Sequence, residues 1–281
     1  MNANDRRKYQ QDYELVNRRF TKKYSPKVVK AVGELVSSLI TDIQKEGVNA
    51  AKYNLFTTVS NNQLAKVVED LYKEVGLYHA KLNYRRIKAE IGQKQLGRND
   101  QWIQEIINYL RSHLIDKAVL ESTRNAKAQL MNLLEQAVDT GMSEFEMVKY
   151  IQENAIRVIQ PQRIVRTELN IASNTGVLVA AQSFEYDFNK EWIAHRDIRT
   201  RGIHPKDKHD HFHLDGKVVD LEEDFKDPIS GENISYPSAP GGSAGMVINC
   251  RCTYATIPKR DESGRLIKKP RKNITTGVPI G

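Results

Sequence analysis

The chain has little cysteine and no long apolar run. Its two cysteines, Cys250 and Cys252, are one residue apart, which excludes a disulfide framework and favours a reducing compartment. No stretch approaches the roughly 18 apolar residues that a membrane helix needs, and the first residues, Met1 to Lys23, are polar and charged rather than signal-like. No glycine-rich phosphate-binding motif with its lysine is present. We therefore expect neither membrane insertion nor secretion.

The first part of the chain carries apolar residues at the three- and four-residue spacing of amphipathic helices. The first helix is expected to begin at Ser25-Pro26, with serine as N-cap and proline in the first turn, and to end at Gly47. A second is expected from about Ser60, and a third from about Asn99 to Thr140, ended by Gly141. Long stripes of this kind are typical of a bundle or an elongated hairpin.

Two later helices are marked by their first residues. Ser143 and Glu146 have the spacing of a capping box, in which each side chain bonds the other residue's backbone amide. Pro161 is expected to open the next helix, which also carries Arg166 and Glu168. These two charges fit either a structural ion pair or a functional site, and local pairing is the more usual state of charges on a helix.

Beyond Phe184 short apolar runs alternate with turn residues. Strands are expected at 191–194, 217–219 and 246–248, and the Asp215-Gly216 pair predicts a tight hairpin turn. The predicted fold class is α+β: an elongated, mainly α-helical N-terminal region, a small α+β module with short antiparallel strands, and a flexible basic tail. The predicted boundaries are 1–142 for the helical bundle or hairpin, 143–257 for the module and 258–281 for the tail.

Histidine and cysteine concentrate in the predicted module. In extended strands alternate residues share a face, so His209, His211 and His213 would lie on one side of a strand, as would Cys250 and Cys252. Thiolates and imidazoles suit tetrahedral zinc, although zinc modules usually separate paired cysteines by about two to four residues rather than one. Three interpretations stay open: a zinc site, buried cysteines beside a polar histidine loop, and a catalytic site.

The same region has residues in a recognisable order. A helix opened by Ser143 is followed by these residues: Arg166-Thr167-Glu168, Trp192, Asp197, Arg201, a histidine, Leu214-Asp215-Gly216, Phe225, Tyr236-Pro237 and Asn249-Cys250-Arg251-Cys252. In order and spacing the segment from about Ser143 to Thr253 resembles the phage Mu F-like, SPP1-type head morphogenesis family of minor capsid proteins. That family has one histidine shortly before the Leu-Asp-Gly turn, and here both His204 and His211 are candidates for that place.

The resemblance implies a structural protein of the virion rather than an enzyme. It implies a minor head protein that associates with the portal protein inside the capsid, near the portal vertex, after assembly in the host cytoplasm. Packaged DNA and the major capsid or scaffolding protein are further candidate partners. It also implies a structural motif made of Trp192, Asp197, Arg201, His204, Asp215, Gly216, Asn249 and Arg251. We expect Trp192 to pack in the module's core and Asp197 to accept hydrogen bonds from Arg199 or Arg201.

An enzyme is the alternative. Asp197, His204 or His211 and the two cysteines supply the residue types of a metal-dependent hydrolase or nuclease. The spacing of known nuclease motifs is absent, since the cysteine pair is not matched by a second pair. A cluster open to solvent with a vacant ligand position would favour this alternative, and an enclosed cluster would favour a structural role.

The basic charge of the chain is concentrated at its C-terminal end. The net charge is +8, of which +5 falls in Pro258 to Gly281, a segment that also contains glycine and proline. Such a segment is expected to be flexible and to bind either phosphates or an acidic groove, or else to be a solvated end without a partner. The candidate contact residues are Lys259, Arg260, Lys268, Lys269, Arg271 and Lys272.

Overall fold

The computed structural model describes residues 1–57, 63–92, 108 and 116–269. Its helices are α1 (Ala3–Glu46), α2 (Val48–Thr57), α3 (Gln63–Ile91), α4 (Asp116–Asp139), α5 (Glu144–Ile159), α6 (Pro161–Gln182) and the short α7 (Ala244–Val247). Its strands are β1 (Phe188–Ile193), β2 (Val218–Asp220), β3 (Phe225–Lys226), β4 (Asn233–Ile234) and β5 (Thr253–Pro258). The helices come first and the short strands last, which confirms the predicted α+β class.

Helix α1 begins well before the predicted Ser25-Pro26 start. Asn2 is its N-cap and accepts a hydrogen bond from the Asp5 amide, and Pro26 lies inside the helix. The prediction of a start at Ser25 was therefore wrong. A proline inside a helix removes one backbone bond, and here Tyr24 and Val28, on either side of it, are both buried in the helical core, which offsets that loss. The predicted end at Gly47 is confirmed, with a φ of 83°.

The other helix signals match the structure where they can be compared. Ser143 and Glu146 form the predicted capping box, and Pro161 occupies the first turn of α6. Helix α4 ends at Asp139 and Gly141 follows it with a φ of 69°. Ser60 and most of the first half of the third predicted helix lie outside the described residues.

The helices share one apolar core, and α6 crosses it. Helices α3 and α6 are in close contact where Gly176 faces the backbone of Gly76 and Ala80, so that a Cβ on Gly176 would overlap the Gly76 carbonyl oxygen. Val165, Leu169 and Ala172 of α6 belong to the helical core, whereas Val177 near its C-terminal end belongs to the core of the strand region. Helix α6 therefore connects the two parts of the fold.

The strands form a three-stranded antiparallel sheet in the order β2-β1-β5 and a separate two-stranded ribbon of β3 and β4. Trp192 in β1 pairs with Tyr254 in β5, and both are fully buried. The predicted strand at 246–248 was wrong, because residues 244–247 form helix α7, whose Met246 is buried among aromatic and sulfur-containing side chains. The third strand is instead β5, which begins directly after Cys252.

The first part of the predicted tail is folded. Residues 259–269 return along the region before β1: the Lys259 amide donates to the Asp187 carbonyl, the Asp187 amide to Ile267, and the Lys269 amide to Glu185. The expectation of a flexible tail beginning at Pro258 was therefore wrong for this stretch, because backbone hydrogen bonds hold it. Residues 270–281, which include Arg271 and Lys272, lie outside the described residues.

Contacts cross the predicted boundary between residues 142 and 143. The N-terminal amine and Arg6 both bond the buried carboxylate of Glu191 in β1, and Gln10 donates to the Arg251 carbonyl. The start of α1 thus packs against the strand region, and the division of the chain into 1–142, 143–257 and 258–281 stays a prediction. Within the described residues no helix is long and apolar enough to cross a membrane.

Candidate metal centre and its surroundings

A cluster of one histidine and two cysteines lies in the core of the strand region. Candidate ligand atoms of His211, Cys250 and Cys252 all lie within 4.8 Å of one another. The Nδ1 atom of His211 is 3.4 Å from the Cys250 sulfur and 3.8 Å from the Cys252 sulfur. The three residues are 1%, 3% and 2% exposed. The cluster is therefore enclosed by protein.

Two separate loops bring these side chains together. His211 lies in the long connection between β1 and β2, where its amide donates to the Arg201 carbonyl at 2.9 Å. The cysteines lie between α7 and β5, after Asn249, whose φ of 58° is in the left-handed region that asparagine tolerates. The Asn249 amide donates to the Thr167 hydroxyl of α6 at 3.0 Å. The turn before Cys250 is thereby tied to the helical core.

The cluster has both polar and apolar neighbours. The Nε2 atom of His211 is 3.3 Å from the Met246 sulfur, and its ring meets the Trp192 ring edge to face. The Cys252 amide points at the Cys250 sulfur. Burial alone would raise the pKa of Cys250, but a side-chain hydrogen bond from the Cys252 thiol and the nearby His211 outweigh burial and lower it. The same side-chain bond and burial raise the pKa of Cys252.

The other two histidines of the predicted set point elsewhere. Residues 209–213 form bends and turns rather than a strand, so alternate side chains do not share one face and that prediction was wrong. His209 Nδ1 is 2.9 Å from the buried carboxylate of Asp227, and His213 Nδ1 is 2.7 Å from Asp210. Of the three histidines, only His211 reaches the cysteines. His204 is exposed, with its Nε2 atom 2.9 Å from the Ile198 carbonyl oxygen.

Asp197 is held by an arginine that the sequence did not suggest for this pairing. Arg251, which lies between the two cysteines, donates to both carboxylate oxygens of Asp197 at 2.5 and 2.6 Å. Arg199 donates to the same carboxylate, as expected, whereas Arg201 donates to the Ile248 carbonyl. The Arg251 guanidinium holds the pKa of Asp197 well below its usual range. This Asp197–Arg251 clamp ties the Cys-x-Cys segment to the loop after β1.

The remaining motif residues fix the turn before β2. The Asp215 carboxylate accepts from the Ala194 amide at 2.9 Å and from Arg196 at 3.0 Å. Gly216 has a φ of 80°, and its amide donates to the Trp192 carbonyl at 2.8 Å. Trp192 itself is fully buried. These residues hold β1, its following loop and β2 together.

Sequence reasoning missed a buried polar seam between α6 and the cysteine segment. Asn170 and Asn174 both donate to the Cys252 carbonyl at 3.1 Å. Tyr13 of α1 donates to the Asn170 side chain at 2.9 Å. The available signal was the four-residue spacing of the two asparagines on α6, which places both amides on one face of the helix.

Arg166 and Glu168 face different surroundings. Glu168 is buried and accepts from the Tyr72 and Ser122 hydroxyls at 2.7 and 2.6 Å. Arg166 is exposed and lines a cavity of about 460 Å³ between α1 and the strand region. The other basic residues that line this cavity are Arg18, Lys22, Arg199 and Arg251, and Glu14 is the acidic residue among the described lining residues. The cavity is therefore electropositive.

The fold is an α+β module in which His211 and the two cysteines are in contact in the core and Asp197 is hydrogen-bonded to Arg251. Residues 128–255 match the family described as Phage Mu protein F like protein. This match, over somewhat less than half of the chain, confirms the resemblance of this segment to the phage Mu F-like family. No curated protein and no solved structure matches the chain.

Proposed function

We propose that this protein is a minor head protein that acts in phage head morphogenesis, associates with the portal inside the prohead and contacts packaged DNA. The observation that carries the proposal is the family match, because residues 128–255 contain the cluster, the Asp197–Arg251 clamp and nearly all of the sheet. The link from family to role is an inference by kinship.

The arrangement of the module supports a structural role over a hydrolase or nuclease. His211 and Cys252 are not among the residues that line the cavity, and Cys250, which does line it, is only 3% exposed, whereas a catalytic metal needs a position open to substrate. The Asp197 carboxylate is occupied by Arg251 and Arg199. His204 is exposed and bonds a backbone carbonyl. The groups that an enzyme would have to combine are thus engaged in separate structural contacts.

The basic residues differ in whether they already have hydrogen-bond or ion-pair partners within the fold. Lys259 pairs with Asp220 and Lys268 with Glu185. Lys269 donates to the Gln182 carbonyl, and Arg260 to those of Gly264 and Glu90. These four tail residues already have partners within the fold. Among the basic cavity residues, Arg18 pairs with Glu14 and Arg199 with Asp197, so Lys22 and Arg166 join Arg271 and Lys272 as candidate phosphate contacts.

Portal association is tested with the portal protein of the same phage. The full chain and the portal are co-expressed, and the complex is analysed by size-exclusion chromatography with mass measurement. Proheads made with and without this protein are then compared for its incorporation and for infectivity. We expect a stable complex and incorporation into proheads. Absence from proheads together with no complex would contradict the proposal.

DNA contact is tested by the salt dependence of binding to duplex DNA. Each phosphate contact contributes a slope of about 0.9 in a plot of log affinity against log salt. Removing residues 270–281 leaves the hydrogen-bonded stretch 259–269 in place, so it deletes Arg271 and Lys272 without unfolding the part described. Lys22→Glu with Arg166→Glu tests the cavity instead. A slope unchanged in both variants would exclude both surfaces.

A further inference from the structure

We propose that His211, Cys250 and Cys252 form a buried zinc site that ties the loop between β1 and β2 to the segment before β5. This proposal does not depend on the role in the phage head. It rests on the position, burial and chemistry of three side chains contributed by two segments that are 39 residues apart in sequence.

The distances fit the edges of a coordination polyhedron. Zinc binds thiolate sulfur at about 2.3 Å and imidazole nitrogen at about 2.0 to 2.1 Å, so neighbouring ligands of a tetrahedral site lie about 3.5 to 3.8 Å apart. The two sulfur-to-Nδ1 distances are 3.4 and 3.8 Å, one within this range and the other about 0.1 Å below it. Both sulfurs face the same ring nitrogen. The three atoms can therefore serve one ion without rearrangement of the backbone.

The chemistry of the ligand set selects the metal. Two thiolates and one imidazole are a soft set that favours zinc over magnesium or calcium. Two thiolates would also neutralise the double charge of the zinc ion, so the buried site would carry no net charge. The Cys252 amide, aimed at the Cys250 sulfur, stabilises a thiolate at that position.

The orientation of His211 also suits a ligand. Its Nδ1 atom faces the sulfurs, while Nε2 faces the Met246 sulfur at 3.3 Å. The second nitrogen of a metal-bound histidine normally carries a proton and donates a hydrogen bond to a neighbour. Here the neighbour is the Met246 thioether, a weak acceptor. The protein thus supplies three ligands from the described residues. Cys250 also lines the electropositive cavity, which places solvent-accessible space beside one ligand.

The decisive experiment measures metal in the full chain and in matched histidine variants. The protein is expressed with added zinc, purified without chelators and analysed by mass spectrometry of the elements. We expect about one zinc per chain in the wild type and less than about a tenth of that in His211→Gln, Cys250→Ser and Cys252→Ser, because each variant removes a third of the protein ligands. His213→Gln is the control, since His213 is exposed in the same loop and bonds Asp210 instead.

A second measurement keeps the test valid if a ligand variant fails to fold. Zinc in the wild-type chain is replaced by cobalt, whose absorption reports thiolate bonding and the number of ligands. We expect thiolate-to-cobalt charge-transfer absorption and the visible bands of a four-coordinate ion. His213→Gln should give the same spectrum.

Three results would overturn the proposal. The first is wild-type protein without zinc or cobalt binding after metal is supplied. The second is zinc that is retained in folded Cys250→Ser and Cys252→Ser, which would place the ion elsewhere. The third is loss of zinc in folded His213→Gln to the same extent as in His211→Gln. Copper bound in place of zinc would overturn the choice of metal.

Discussion

Replacing Asp197 with asparagine tests the clamp that holds the Cys-x-Cys segment. The substitution keeps the size of the side chain but removes the charge that Arg251 contacts through two short hydrogen bonds. A hydrogen bond to a charged group contributes about 1.5 to 3 kcal/mol. Asp197 and Arg251 are 29% and 22% exposed, so solvent screens part of the interaction. We expect Asp197→Asn to lower the free energy of unfolding at pH 7 by about 2 to 3 kcal/mol.

The same pair makes a prediction about pH. The folded state holds the pKa of Asp197 below its usual value near 3.9 because of Arg251. A carboxyl with a depressed pKa contributes its full stability above the unfolded pKa and loses it as pH falls toward the folded pKa. The difference between wild type and Asp197→Asn should therefore be constant from about pH 5 to 8 and should shrink below about pH 4.

The assay is urea unfolding followed by circular dichroism at pH 7 and at pH 3. Arg199→Gln is the matched control, because Arg199 also contacts Asp197 but is 69% exposed, and its loss should cost less than about 1 kcal/mol. Two results would refute the reasoning. One is equal destabilisation by Asp197→Asn and Arg199→Gln, and the other is a difference from wild type that is as large at pH 3 as at pH 7.

Three further predictions concern the helical region. Burial lowers the pKa of His79 to about 3. Below pH 6.5 the unfolded state therefore takes up a proton that the folded state does not. As the pH falls, the free energy of unfolding of the wild type should decrease more steeply than that of His79→Gln, by about 1.4 kcal/mol per pH unit. Parallel curves from pH 7 to pH 4.5 would contradict this. Gly176→Ala should lower the free energy of unfolding by about 1 to 3 kcal/mol, because the new Cβ overlaps the Gly76 carbonyl oxygen. Gly33→Ala, with no atom within 4 Å of the new Cβ, should stabilise by up to about 1 kcal/mol; thermal melting compares the two. Ser143→Ala should lower the free energy of unfolding by about 1 kcal/mol through loss of the cap, and an unchanged value would show that the capping box adds nothing.

Several features of the protein follow from local sequence alone. The capping box at Ser143, the proline that opens α6 at Pro161 and the glycine that ends α1 at Gly47 each depend on backbone groups within a few residues. Apolar spacing predicted the helices because it depends only on the helical period. The family resemblance also follows from the sequence, since it rests on residue order.

Other features depend on contacts that no local pattern specifies. Pro26 fits inside α1 because the surrounding core holds that helix on both sides, so tertiary packing overrides a local start signal. Residues 246–248 are apolar and short, a pattern that does not distinguish a strand from a buried helical turn. The part of the tail up to Lys269 is held by hydrogen bonds to residues more than 70 positions away, which composition does not reveal.

The candidate site also has some features that the sequence predicts and others that only the tertiary structure shows. Sequence identified the residue types and the pair Cys250 and Cys252, because their spacing is fixed within one segment. Which histidine joins them depends on the path of the loop after β1, and that path is set by Asp227, which accepts from the Asp210 amide and contacts the His209 ring. The pairing of Asp197 with Arg251 also joins residues 54 positions apart. Such long-range contacts are decided by the fold as a whole, so only the tertiary structure could show that His211 meets the cysteines while His209 and His213 turn away.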